Sequence, residues 1–248
     1  RARTEAALRK SEARLNEAQR IARLGGWELD LAKNELKWSD EIYRIFEIDP
    51  AEFGVSYEAF LERIHPDDRE RVDHAYTESV TNRTPYEIVH RLRMPDGRVK
   101  HVRERCETRY DEAGRPLRSV GTVQDITDHE RANAEMRKLS SAVEQTADAV
   151  MITDRDGVIE YVNRAFEQTT GYSPAEALGK KPSLVQSGMQ GEEFYRRVWD
   201  TILRGETFRD VFINRKKGGE LYYEEKTITP LRDTSGRITH FISTGKDI

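Results

Sequence analysis

Gly114-Arg115-Pro116-Leu117-Arg118-Ser119-Val120-Gly121-Thr122-Val123-Gln124-Asp125-Ile126 returns 122 residues later as Gly236-Arg237-Ile238-Thr239-His240-Phe241-Ile242-Ser243-Thr244-Gly245-Lys246-Asp247-Ile248. Gly114, Arg115, Thr122, Asp125 and Ile126 coincide with Gly236, Arg237, Thr244, Asp247 and Ile248, and upstream in the same register Gly97 coincides with Gly219. Identities in one ungapped register, at a spacing the size of a domain rather than of a solenoid repeat, mean two copies of one fold. Length agrees, because 248 residues exceed a single average domain of ~150.

Outward from this stretch, each copy reads alike. Phe208 to Arg215, Leu221 to Leu231 and Ile238 to Asp247 alternate or run apolar, as strands do. They are broken by the turn formers Lys217-Gly218-Gly219 and Asp233-Thr234-Ser235-Gly236, for which Met94-Pro95-Asp96-Gly97 and Asp111-Glu112-Ala113-Gly114 stand in the first copy. The second copy opens on a hairpin: Ala149 to Asp154, the turn Arg155-Asp156-Gly157, then Val158 to Val162. A helical middle follows. Ala165, Phe166 and Thr169 share one helical face, Gly171 stops that turn and Ser173-Pro174 starts the next. Phe194, Val198, Trp199 and Ile202 then mark a longer helix from Glu192 to Leu203. The expected fold class is α+β: two tandem folds, each a five-stranded antiparallel sheet with helices on one face, joined by amphipathic helical linkers.

Leu8, Ser11, Leu15, Ala18 and Ala22 alternate spacings of three and four ahead of the first copy, and Ala132, Met136, Leu139 and Val143 do so between the copies. Such short heptads read either as helices lying on their own domain or as a dimeric coiled coil. The expected organisation is therefore an amphipathic helix over 1–24, a domain over 25–126, a helical linker over 127–143 and a second domain over 144–248.

Composition narrows the function classes. Lys and Arg number 41 against 45 Asp and Glu, and the formal charge of -4 leaves no basic stripe for a phosphate backbone, so no nucleic-acid partner is expected. No apolar run approaches the roughly 20 residues of a membrane span, and the expected location is the cytoplasm. The single cysteine, Cys106, has no Cys or His cluster beside it, so neither a disulfide nor a metal site is expected. No catalytic Ser/His/Asp set, phosphate-cradling Gly loop or paired catalytic acid stands out, and no enzyme is expected in this chain.

Particular motifs carry a family resemblance over nearly the whole chain. In the first copy they are Gly25-Gly26-Trp27-Glu28-Leu29-Asp30, Ile64-His65-Pro66-Asp67-Asp68-Arg69 and Asp125-Ile126-Thr127. In the second they are Asp154-Arg155-Asp156-Gly157, Tyr161-Val162-Asn163, Thr170-Gly171-Tyr172, Gly179-Lys180 and Asn214-Arg215-Lys216-Lys217. Jointly they resemble tandem PAS sensor domains, the second similar to the flavin-binding redox sensors of that family. The resemblance implies that Asp125 and Thr127, with Asp247 as the second copy's counterpart, pass a signal from the last strand to an output helix, the Asp by a polar contact and the Thr by capping. It implies a homodimer through the helical linkers and an output domain of the same polypeptide beyond Ile248: a cyclic-di-GMP synthase or hydrolase, or a histidine kinase. The rival expectation is a cofactor-free pair serving dimerisation or protein interaction.

The same resemblance implies FAD or FMN as the candidate cofactor of the second copy and none in the first. Asn214 matches the flavin-contacting Asn, the alternative being a plain surface amide, and Gln186 lies in a matching connector. Phe208 stands where a Trp often flanks the ring, Glu224 replaces a second Asn, and Gly245 replaces a Gln. Pro182 takes the place of the thiol that blue-light adduct formation needs, so redox sensing is the expected use. Haem would need an axial His from the helical middle, whereas the second copy offers only His240 on its last strand. His65 reads as a helix start with Asp67 and Asp68 at the positive dipole end, and His74 as solvated. Trp27, Trp38, Tyr43 and Phe46 read as core or, alternatively, as the lining of a small pocket. Asn163 and Tyr172 read as turn and packing residues.

Overall fold

A computed structural model describes residues 10, 13, 14, 16–51 and 54–248. Leu8, Ser11 and Leu15 of the first heptad lie outside the described residues; residues 16–22 are helical, with Ala18 and Ala22 exposed. The chain divides into two compact units, Arg1–Ala134 and Glu135–Ile248.

Each unit holds one five-stranded antiparallel sheet. The first has the order β2-β1-β5-β4-β3, from β1 Leu24–Asp30, β2 Glu35–Trp38, β3 Tyr86–Arg93, β4 Val99–Tyr110 and β5 Pro116–Asp125. The second repeats it as β7-β6-β10-β9-β8, from β6 Ala149–Asp154, β7 Ile159–Val162, β8 Phe208–Arg215, β9 Leu221–Arg232 and β10 Ile238–Asp247. The offset of 122 holds residue by residue for the last three strands, since 86–93, 99–110 and 116–125 become 208–215, 221–232 and 238–247. The glycines that fix this register, Gly97, Gly114, Gly219 and Gly236, close the turns at φ of 86°, 79°, 95° and 82°, a region that costs glycine nothing.

Helices fill the interval between the second and third strand of each sheet. In the first domain they are Asp40–Phe46, Tyr57–Arg63 and Pro66–Asn82. His65 caps the last, its Nδ1 accepting from the Asp67 amide at 3.4 Å. Asp67 and Asp68 both stand in the first turn of that helix, as expected, and Asp68 does more. Its carboxylate accepts from the backbone amide, Nε and Nη2 of Arg91 at 2.9, 3.0 and 2.8 Å and so ties the helix to β3. These Arg91 hydrogen bonds, against the opposing effect of burial, hold the Asp68 carboxyl well below the usual carboxylate range. His74 is exposed, as expected.

The first core is one cluster in which Trp27, Ile42, Phe46, Phe60, Tyr76 and Val123 meet. Trp38 packs at its edge, 5.0 Å from the Phe46 ring and 5.5 Å from the Tyr43 ring, between centroids. Cys106 is buried in β4, and burial pushes its thiol up to about 12.

The helix Thr127–Glu144 follows β5. Asp125 Oδ1 accepts from the Thr127 amide at 2.9 Å and from its hydroxyl at 2.6 Å, while that hydroxyl accepts from the His101 amide at 2.9 Å. The acceptor at this helix start is therefore Asp125, and Thr127 fastens it to β4. At the far end Asn163, fully buried, donates from Nδ2 to the carbonyls of Val143 and Asp148 at 3.1 and 3.0 Å. Its Oδ1 accepts from the amides of Val150 and Phe166 at 2.8 and 3.0 Å. One amide thus joins the end of the linker to β6 and to the helix Arg164–Thr170.

Candidate functional site

The second domain has two core clusters instead of one. Ala149, Met151, Ile159, Val162, Phe166 and Val185 form the first; Val198, Ile202, Phe208, Phe212 and Phe241 form the second. A cavity of about 450 Å³ lies between them, walled by Met151, Val185, Val198, Ile202, Phe212 and Phe241. That is within the range of sites for drug-sized ligands, which pair apolar walls with a few placed polar groups. The corresponding space in the first domain is about 20 Å³, filled by Trp27, Trp38, Phe46, Tyr57, Phe60 and Tyr76. Such a space holds little more than a water molecule.

Polar groups converge on one part of the second cavity. Asn214, Lys226, Thr153 and Ser243 line it and are all buried. Asn214 Nδ2 donates to Glu224 Oε2 at 2.9 Å, and the same oxygen lies 2.8 Å from Lys226 Nζ. The Lys226 ammonium also sits 5.2 Å from the centre of the Phe212 ring, a favourable cation–π distance. Tyr195 lines the cavity with its hydroxyl buried. Burial raises that phenol, and the Gln186 amide nearby partly offsets the rise. Lys181, Glu192 and Arg196 line the cavity from exposed positions.

The local chain explains this convergence. β8 is the edge strand of its sheet and carries unpaired backbone groups, which the connector after the 3-10 turn Pro182–Val185 takes up. Gln186 bridges Asn214 backbone to backbone, Ser187 Oγ donates to the Ile213 carbonyl, and Gln190 exchanges hydrogen bonds with Ile213 and Val211. Inward-facing residues on β9 recur every second position, which aims Tyr222, Glu224 and Lys226 to the buried side.

The residues singled out from the sequence fall in three groups. Asn214 and Gln186 line the cavity, with Asn214 buried and Gln186 exposed. Glu224 does not line it but stands behind, between Asn214 and Lys226. Its carboxylate takes the space above Gly245, where an added Cβ would overlap it. Phe208 is also outside the lining: its ring packs edge-on against Phe194 and Phe212, 6.0 and 6.1 Å between centroids, and Phe212 supplies the wall. The two share a strand face, and Phe194 of the helix Glu192–Leu203 packs on both, 6.0 Å from Phe208 and 5.0 Å from Phe212 between centroids. Pro182 lines the cavity. His240 is outside the lining, with Nε2 3.1 Å from Glu160 Oε2 in an exposed pair. Asp247 is an exposed residue opposite Glu224 in the β9–β10 register. Lys226 and Tyr195 were not anticipated. A lysine in the inward register of an alternating strand was the available signal.

Comparison with known proteins adds the following. A family model of the PAS fold matches residues 35–123, and a second model of the PAS fold matches residues 137–248. The nitrogen fixation regulatory protein of Klebsiella oxytoca is 36% identical over 106 residues, 43% of this chain and 21% of the relative. The probable diguanylate cyclase DgcE of Escherichia coli (strain K12) is 25% identical over 243 residues, 94% of this chain and 22% of the relative. A solved sensory box histidine kinase/response regulator from Burkholderia thailandensis E264 is 26% identical, covering 54% of this chain and 99% of that one, at a TM-score of 0.47. The chain spans about a fifth of the length of these two curated relatives.

Proposed function

The chain belongs to the PAS family in both of its domains, a tandem sensory region of the signal-transduction kind, and from that premise we propose that the second domain holds a flavin nucleotide whose redox state is the signal. The observation that carries this reading is the 450 Å³ cavity with buried amide, hydroxyl and ammonium groups along apolar walls. An isoalloxazine ring needs apolar contact on its faces and donors and acceptors along one edge. Asn214, Ser243, Thr153 and the buried Tyr195 hydroxyl match that demand, and exposed Lys181 and Arg196 suit phosphate groups at the mouth. With no thiol among the cavity residues, redox sensing fits better than a light-formed adduct.

The first domain, with its space filled by aromatic side chains, serves in this reading as a cofactor-free link between helices. Ala132, Met136, Leu139 and Val143 form an apolar stripe on the helix Thr127–Glu144, where Met136 is 71% and Leu139 59% exposed. A second copy of the chain is its proposed cover, giving a parallel homodimer that conveys shifts in population. The output lies elsewhere in the same polypeptide, a cyclic-di-GMP synthase or hydrolase or a histidine kinase, in the cytoplasm. The test is incubation of the purified chain with FAD, removal of free nucleotide and a visible absorption spectrum. A protein that retains the flavin band supports the reading, and a colourless one favours a cofactor-free interaction module.

A further inference from the structure

Glu224 and Lys226 form an ion pair buried to 4% and 8% side-chain exposure, yet only the lysine lines the cavity. The lysine is thus the member of the pair that borders the cavity, and Glu224 is not among the lining residues. An ammonium carries three donors, and Glu224 is its one ion-pair partner among the described residues. Behind the pair, the Glu224 carboxylate reaches two further places: the Asn214 amide in β8, and the backbone of β10 at Gly245, where there is no side chain to exclude it.

We propose that Lys226 is the charge-selecting residue of the cavity, and that it competes between Glu224 and negative charge on the bound ring so that reduction of the ring is felt at β10. This rests on the flavin reading above. A ring that takes up two electrons from a two-electron donor, dithionite in the test below, together with one proton, gains one negative charge. Lys226 draws toward that charge, because a cation and an anion a few ångströms apart in a low-dielectric site attract strongly. Glu224 then loses its cation and shifts against Asn214 and Gly245, at the end of the strand that leads to Asp247.

The experiment measures dissociation constants of oxidised and dithionite-reduced FAD for the wild-type chain, Lys226→Met and Lys226→Arg. Binding and reduction are linked, so the ratio of the two constants reports the coupling. Lys226→Met is expected to lower the preference for the reduced form by about tenfold, and Lys226→Arg to retain it. Because removing one partner of a buried pair strands the other, Lys226→Met/Glu224→Gln is measured alongside and is expected to show the same loss. A ratio unchanged in both methionine variants overturns the inference and leaves the flavin reading standing. A wild-type chain that takes up no FAD overturns both.

Discussion

Glu104 and Lys226 occupy one position in two sheets: Glu104 pairs with Ile88 across β3 and β4, Lys226 pairs with Asp210 across β8 and β9, and the second pair is the first displaced by 122 residues. Around Glu104 the interior is closed. Its Oε2 accepts from the Tyr86 hydroxyl at 3.1 Å and lies 3.3 Å from His90 Nε2, and both Glu104 and His90 are buried. Around Lys226 the interior is open, with Phe212 in the place of His90. The same displacement sets Asn214, Glu224 and Gly245 over Leu92, Val102 and Val123, all buried apolar residues of the first core. One backbone therefore carries two interiors, one packed and one able to receive a ligand.

Gly245 is a necessary gap for Glu224. Gly245→Ala places a methyl group against the carboxylate, an overpacking expected to cost about 1–3 kcal/mol. Glu224→Ala removes the obstacle, so the double variant is expected to be more stable than the two single effects predict, by about 1 kcal/mol. Urea unfolding of the four proteins measures this coupling; strictly additive effects contradict the contact.

Asp68 makes the first domain acid-sensitive. Its folded pKa is depressed by Arg91, so its contribution to stability is fully present above the unfolded value of ~4 and is lost as the pH falls through the folded value. Asp68→Asn is expected to cost about 2 kcal/mol at neutral pH and to flatten the loss of stability below about pH 4. Urea midpoints across that range measure both effects, and parallel curves for the two proteins contradict the assignment.

Met136 and Leu139 carry the proposed dimer. Met136→Asp/Leu139→Asp is expected to convert a dimer to a monomer in light scattering after gel filtration, with the circular dichroism of both sheets unchanged, since charges at a and d positions oppose a coiled-coil seam. A wild-type monomer, or a variant that remains dimeric, contradicts this surface.

The fold was readable from the sequence because glycine turns and strand alternation fix a register locally. From Tyr86 to Asp125 and from Phe208 to Asp247 the three strands match without a shift. What was not readable depends on partners distant in the chain. Asp67 and Asp68 look alike at a helix start, and Arg91, 23 residues away, makes Asp68 a tie to the sheet. Phe208 and Phe212 are equivalent in an alternating pattern, and only the folded chain shows that Phe212 walls the cavity while Phe208 packs beside it. Glu224, read as a substituted ring contact, stands behind Lys226 because Gly245 leaves room for it.

The central claim is that the second interior, through its polar groups, is the ligand site. Equilibrium dialysis with FAD compares the wild-type chain with Asn214→Leu/Glu224→Val/Lys226→Met, which replaces the three polar side chains by apolar ones, as Leu92 and Val102 stand at the first two matching positions of the first domain. The account predicts a single FAD per wild-type chain and none in the triple variant, with both proteins folded. Equal uptake by the two proteins, or none by the wild type, contradicts it.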